Sequence, residues 1–195
     1  MMTKKKFFIE TKWVRKNILA NILDFPYFVQ STNYTCGVAC VLGILWYYGD
    51  RKRREVLLEK KLEVDEDEWA EIANIVQFFK KENFKVDSRK MTLRDLEKYL
   101  DRWIPIIVLY QARSKKKIDY IKTSHEGHYA VVIGYNKDYL FLADPVIHAT
   151  VYISKEDFMI RWHQEDGDGT ENLQHGIAVY GKKPTYNHLL LKEAE

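Results

Sequence analysis

Tyr34-Thr35-Cys36-Gly37-Val38-Ala39-Cys40-Val41-Leu42 is the stretch on which the reading of this chain turns. Val38, Val41, Leu42, Leu45 and Trp46 recur at three- and four-residue spacing, which predicts a helix with a buried face. Tyr48-Gly49-Asp50 supplies its stop. The helix therefore opens at a cysteine. Unpaired N–H groups and the macrodipole at a helix start favour negative charge, and the thiolate is the nucleophilic form of cysteine. Gly37 reads as a missing side chain where a substrate approaches. Taken alone, Cys36 reads as well as a small buried hydrophobe. Cys40, one turn on, is read as core.

Outward from this stretch, the pattern to Trp103 is mostly helical. A charged helix is expected across Arg54–Lys61. Asp65-Glu66-Asp67-Glu68 reads as the acidic start of the next, with Trp69, Ile72, Ile75, Val76 and Phe79 on its apolar face. Thr92 is the expected N-cap of a helix through Leu93, Leu96, Tyr99 and Leu100, with Asp95 completing a capping box. Pro105 marks a change to β-branched runs. Ile106–Tyr110, Tyr129–Tyr135, Tyr139–Ala143, Thr150–Ile153 and Gly176–Tyr180 are expected strands, the last closing the sheet. Asn136-Lys137-Asp138 is read as a hairpin turn, and Ser154 as the cap of a short helix through Phe158 and Trp162. Ser114–Lys117 and Gln164–Asn172 read as loops. Helices first and then a mostly antiparallel sheet make an α+β domain. Residues 1–24 are expected to be an extension and 25–195 one domain. Its helical half spans about 25–104, its sheet half about 105–181 and its tail 182–195.

At 195 residues, 46% hydrophobic and 30% charged, the chain fills one core. Its 31 basic residues are interleaved with 28 acidic ones, for a net charge of +3, so no basic stripe for nucleic acid forms. Lys4-Lys5-Lys6 and Arg51-Lys52-Arg53-Arg54 read as solvated ends or helix faces. Two cysteines four residues apart make no disulfide framework, which suits a reducing, cytoplasmic setting. Phe7-Phe8-Ile9 is too short for a signal segment, and no apolar run reaches the length of a membrane span.

Three further residues have settings that suit thiol chemistry. Gln30, six before Cys36, carries an amide able to donate to an oxyanion together with the Cys36 N–H; its bland reading is a surface glutamine. His128 begins an apolar strand, and Asp144 ends the next in Ala143-Asp144-Pro145. If those strands pair, Asp144 can orient the His128 ring; alone it is an ordinary Asp-Pro turn. His125, in a polar loop, is the rival histidine. His125-x-x-His128 lacks further ligands for zinc, and Asp166-Gly167-Asp168-Gly169 lacks the closing glutamate of a calcium loop. No metal and no cofactor are expected.

Gln30, Tyr34 through Cys40 and Tyr47-Tyr48-Gly49 together resemble the opening motif of the C39-type peptidases and their C39-like relatives. His128 through Gly134, Ala143-Asp144-Pro145 and Ser154 through Phe158 with Trp162 are similar to the family's later motifs. So is the helix at Leu96 leading into Pro105-Ile106-Ile107-Val108. The resemblance spans about Phe25 to Trp162. It implies a papain-like fold, a helical half and a sheet half meeting at a cleft. It also implies Cys36 as nucleophile, His128 as general base and acid, Asp144 as orienting acid and Gln30 as oxyanion donor. Members fused to ABC transporters cut leader peptides after a double glycine. This chain has neither membrane segments nor a phosphate-binding Gly-rich loop, so it is expected to stand alone. The expectation is a cysteine peptidase acting on a peptide or protein substrate such as a leader or small peptide. The alternatives are a thiol acyltransferase and a catalytically silent peptide- or protein-binding module.

Overall fold

A computed structural model describes residues 21–66, 68–112, 120, 127–147, 149–165 and 171–186. Lys4–Lys6, Phe7–Ile9, the 114–117 loop, His125 and Asp166–Gly169 lie outside them. A two-residue strand, β1 (Asn21–Ile22), precedes the helices α1 (Cys36–Tyr47), α2 (Glu55–Leu62) and α3 (Ile72–Lys81). Strand β2 (Lys85–Lys90) separates these from α4 (Leu93–Leu100). Strands β3 (Ile106–Gln111), β4 (Gly127–Tyr135), β5 (Tyr139–Asp144) and β6 (Ala149–Ser154) follow. Then come α5 (Lys155–Arg161), the short pair β7 (His163–Glu165) and β8 (Glu171–Leu173), and β9 (His175–Tyr180).

The architecture is the expected α+β one. A seven-stranded sheet runs in the order β2-β9-β3-β4-β5-β6, every pairing antiparallel, with β1 beside the end of β4. Helix α1 packs against β4 and is buried around almost its whole circumference, from Cys36 through Leu45. It stops where expected: Gly49 takes φ +93, a left-handed conformation that favours glycine, and Asp50 N–H returns to the Leu45 carbonyl at 2.9 Å. Thr92 and Asp95 form both bonds of the capping box on α4. Asn136 Oδ1 accepts from the N–H groups of Asp138 (2.9 Å) and Tyr139 (2.7 Å), closing the β4–β5 hairpin as an Asx turn. A register shift between Val132 and Gly134 leaves the Ile133 carbonyl to accept from Leu23 N–H at 2.7 Å, so the chain just before α1 is tied to β4.

Four local expectations are corrected. The helical half contributes strand β2, whose Lys-Val-Asp-Ser-Arg-Lys sequence lacks a β signature. Its conformation comes from six pairings with β9, and its charges suit a sheet edge. The closing strand β9 consequently lies inside the sheet and not at its edge. Helix α3 begins at Ile72, not at the acidic run: Asp65 and Glu68 bond each other in a turn, and Trp69 is 43% exposed. Ala70 is buried with its carbonyl accepting from the Tyr129 hydroxyl at 2.8 Å, and Glu71 is extended. Finally, the expected loop Gln164–Asn172 is overlapped at its two ends by β7 and β8. They are pinned by Gln111, whose Nε2 donates to the His163 carbonyl (3.0 Å) and Gln164 Oε1 (2.6 Å). Of the basic run, Arg53 is bonded to Asp50 (3.1 Å) and Glu82 (2.6 Å).

Candidate active site

Cys36 is the first residue of α1 and 2% exposed. The first turn carries no acidic side chain, and no side chain caps the helix. The positive end of the helix thus meets no carboxylate from its own first turn, and its dipole favours an anion at the Cys36 sulfur. Gly37 is small for a reason other than the expected one. A Cβ there would lie 2.7 Å from Ala70 Cβ and 3.1 Å from Tyr129 Cδ2, so its hydrogen faces packed protein rather than a substrate path. That contact sets the start of α1 against the residue that follows His128.

Strand pairing brings His128 and Asp144 together. Val131 pairs with Ala143, so continuing the antiparallel register sets Asp144 opposite Ala130, diagonal to His128. His128 Nε2 lies 3.3 Å from Asp144 Oδ1 in buried surroundings, 8% and 2% exposed respectively. An ionised carboxylate only accepts, so Nε2 carries the proton and the basic lone pair lies on Nδ1. Asp144 is itself fixed: Oδ1 also accepts from Val146 N–H at 2.8 Å, the Asx geometry of an Asp-Pro turn. Tyr110 pairs with His128 across β3 and β4, its ring centroid 6.0 Å from the imidazole, and Phe158 of α5 packs behind it.

Gln30 lies in the segment that crosses from β1 to α1. Its backbone N–H donates to the Pro145 carbonyl at 2.9 Å, which joins it to the turn carrying Asp144. Its Nε2 donates to the Thr32 carbonyl at 2.6 Å. Thr32 N–H in turn donates to Thr35 Oγ1 at 3.2 Å. Gln30 and Cys36 thus lie on one segment and His128 and Asp144 on another, and the two are tied by the Gln30–Pro145 and Leu23–Ile133 backbone hydrogen bonds and by the packing of Gly37 on Tyr129.

The sequence does not single out Tyr110, which packs at the His128 ring, or Thr32 and Thr35, in the turn that holds Gln30. Nothing in a β-branched run marks Tyr110; only the register with β4 places it at His128. Cys40 lies inside α1 as expected. Burial first, and then the charge of Cys36, push its thiol well above the ordinary range, so it stays protonated at neutral pH. Both cysteines are free thiols. Among the described residues, no three His, Cys, Asp or Glu side chains lie close enough to hold a metal ion, and no helix is long and apolar enough to cross a membrane.

Solved structures of the same fold are known. The peptidase domain of Streptococcus ComA, a bi-functional ABC transporter of a quorum-sensing pathway, is 23% identical over 80% of this chain and 98% of its own, with a TM-score of 0.60. A putative C39-like peptidase from Bacillus anthracis is 16% identical over 84% of this chain and 98% of its own, at 0.63. A double-glycine-motif protease from an AMS/PCAT transporter, solved with its leader peptide, is 18% identical over 84% and 94%, at 0.58. These likenesses show the papain-like peptidase fold. No curated protein matches the chain. The model of the Peptidase C39 family matches residues 24–165, and the chain belongs to that family.

Proposed function

We propose that this member of the Peptidase C39 family is a cysteine peptidase in which Cys36, His128 and Asp144 form the catalytic triad and Gln30 supports the oxyanion. The observation that carries this reading is the buried His128 Nε2 to Asp144 Oδ1 contact at 3.3 Å. It sets the tautomer in which Nδ1 is the base, in a family whose chemistry runs on a thiol.

In this mechanism Nδ1 of His128 takes the Cys36 proton, and the thiolate attacks the peptide carbonyl carbon. The carbonyl oxygen becomes an oxyanion, stabilised by the Gln30 amide and the Cys36 N–H. The imidazolium then gives its proton to the leaving nitrogen as the C–N bond breaks, and a thioester remains. Water, deprotonated by His128, attacks the thioester. The acid product leaves and the thiol is restored. Asp144 keeps the ring oriented and stabilises its charged form throughout.

A leader or small peptide is the proposed substrate. The solved AMS/PCAT relative holds a leader peptide and is named for a double-glycine motif, which supports a peptide with small residues at the cut. Two free thiols suit a cytoplasmic setting.

A library of internally quenched peptides, read by fluorescence and mass spectrometry with Cys36→Ala beside the parent, tests the reading. Products that vanish in Cys36→Ala are expected. Identical product sets in the two proteins would overturn the peptidase reading and leave a binding module. Products in which the acyl group has passed to an added amine in place of water would mark an acyltransferase.

A further inference from the structure

We propose that Thr35 is a positioning residue that sets the direction of the Gln30 amide; the inference rests on the peptidase reading above. A threonine at the N-cap ordinarily turns its oxygen forward to accept from an N–H two or three residues on. Thr35 occupies that position, yet it takes φ −94 and ψ 18 and makes no capping bond. Its hydroxyl is turned backward. It accepts from Thr32 N–H at 3.2 Å and lies 3.2 Å from the Thr32 hydroxyl, on a residue with 0% exposure.

Thr32 is where Gln30 is held. Gln30 Nε2 donates one hydrogen to the Thr32 carbonyl at 2.6 Å, and an amide nitrogen has two. Fixing the first N–H fixes the plane and direction of the second, which is the one left to meet an oxyanion. Gln30 Oε1 is buried and has no hydrogen-bond partner among the described residues, so no bond at the oxygen sets the orientation. Swapping oxygen and nitrogen would put two carbonyl oxygens at the same 2.6 Å, so Thr32 alone selects the donor face. The order of dependence therefore runs from Thr35 to the 30–35 turn, to the Thr32 carbonyl, and to the Gln30 amide. The same backward turn leaves the start of α1 uncapped by a side chain at Cys36.

Thr35→Val keeps the shape and removes the hydroxyl. Losing one oxyanion donor outright lowers kcat by about 10²- to 10³-fold, and loosening one is expected to lower it about tenfold. The measurement uses the library peptide cut fastest in the Cys36-dependent set. Thr35→Val is expected to lower kcat with KM unchanged, and Thr35→Ser to restore it. The rate of Cys36 alkylation by iodoacetamide across pH 5–9 should not change, because the thiol is untouched. In a Gln30→Ala background Thr35→Val should cause no further loss.

Wild-type kcat in Thr35→Val would overturn the proposal, as would losses that multiply with Gln30→Ala. So would alkylation slowed as much as turnover, which would assign Thr35 to the thiol and not to the amide. If Thr35→Val does not unfold cooperatively, Thr35→Ala replaces it in the same cycle. Failure of the underlying reading looks different, since the parent would then show no Cys36-dependent product at all.

Discussion

Replacing Gly37 by Ala adds one methyl group to the first turn of α1, and two opposing effects decide the outcome. Alanine is favoured over glycine in a helix by up to ~1 kcal/mol. Against this, the new Cβ would lie 2.7 Å from Ala70 Cβ and 3.1 Å from Tyr129 Cδ2, where carbon atoms ordinarily sit about 3.5–4.0 Å apart. Both Cβ atoms are fixed to backbone, so no rotamer relieves the overlap. Ala70 cannot easily retreat, because its carbonyl accepts from the buried Tyr129 hydroxyl at 2.8 Å. Overpacking of this kind costs about 1–3 kcal/mol, so the net expectation is a loss of roughly 1–2 kcal/mol. Removing the opposing methyl with Ala70→Gly should change the sign. In that background Gly37→Ala should be neutral or stabilising, a coupling of about 2 kcal/mol. Urea unfolding followed by tryptophan fluorescence measures all four proteins. A Gly37→Ala variant as stable as the parent, or losses that simply add, would refute the packing argument.

Iodoacetamide at pH 8 should modify Cys36 and spare Cys40, whose thiol is raised by burial and by Cys36; peptide mapping with equal labelling would contradict the assignment of the two thiols. Asp144→Ala should lower kcat by about 10²-fold through loss of ring orientation, and a change within twofold would remove Asp144 from the proposed triad. Thr92→Ala should cost about 1 kcal/mol of stability by removing the cap of α4, as read by thermal melting. The Asp95 carboxyl is held down to about 2, first by Thr92 N–H, then by its hydroxyl, and then by Arg89. A depressed carboxyl contributes stability above its unfolded pKa near 4 and loses it as pH falls through the folded value. Asp95→Asn should therefore be less stable than the parent at pH 7 and converge with it near pH 2. A stability gap that stays constant across that range would count against the capping box as its source.

The legible parts of this fold are those where local chemistry and tertiary packing agree. The capping box at Thr92, the Asx turn at Asn136 and the glycine stop at Gly49 all formed as local rules require. The contact between His128 and Asp144 follows from strand register once the hairpin is recognised. Legibility fails where packing overrules local preference. Four acids and an apolar periodicity should start α3 at the acidic run, but Ala70 packs against Gly37 and bonds Tyr129, and Glu71 is extended, so the helix begins only at Ile72. β2 has one apolar residue in six and exists because β9 pairs with it. Gly37 looked like a substrate clearance and is a packing contact. Thr35 occupies a capping position without capping, which no single-residue preference reveals.

The place of β9 has a consequence for how the molecule comes into being. It pairs on one side with β2 and on the other with β3, yet it is the last strand of the sheet to leave the ribosome. Until it emerges, β2 has no partner in the sheet and the outer flank of β3 is bare. Cys36, His128 and Asp144 will all have been synthesised by then, while the sheet is still in two pieces. A nascent chain therefore carries Cys36 for most of its synthesis without the completed scaffold. Among the described strands, the sheet is joined into one piece only when this six-residue strand is inserted between β2 and β3, a pairing of high sequence separation on the β2 side.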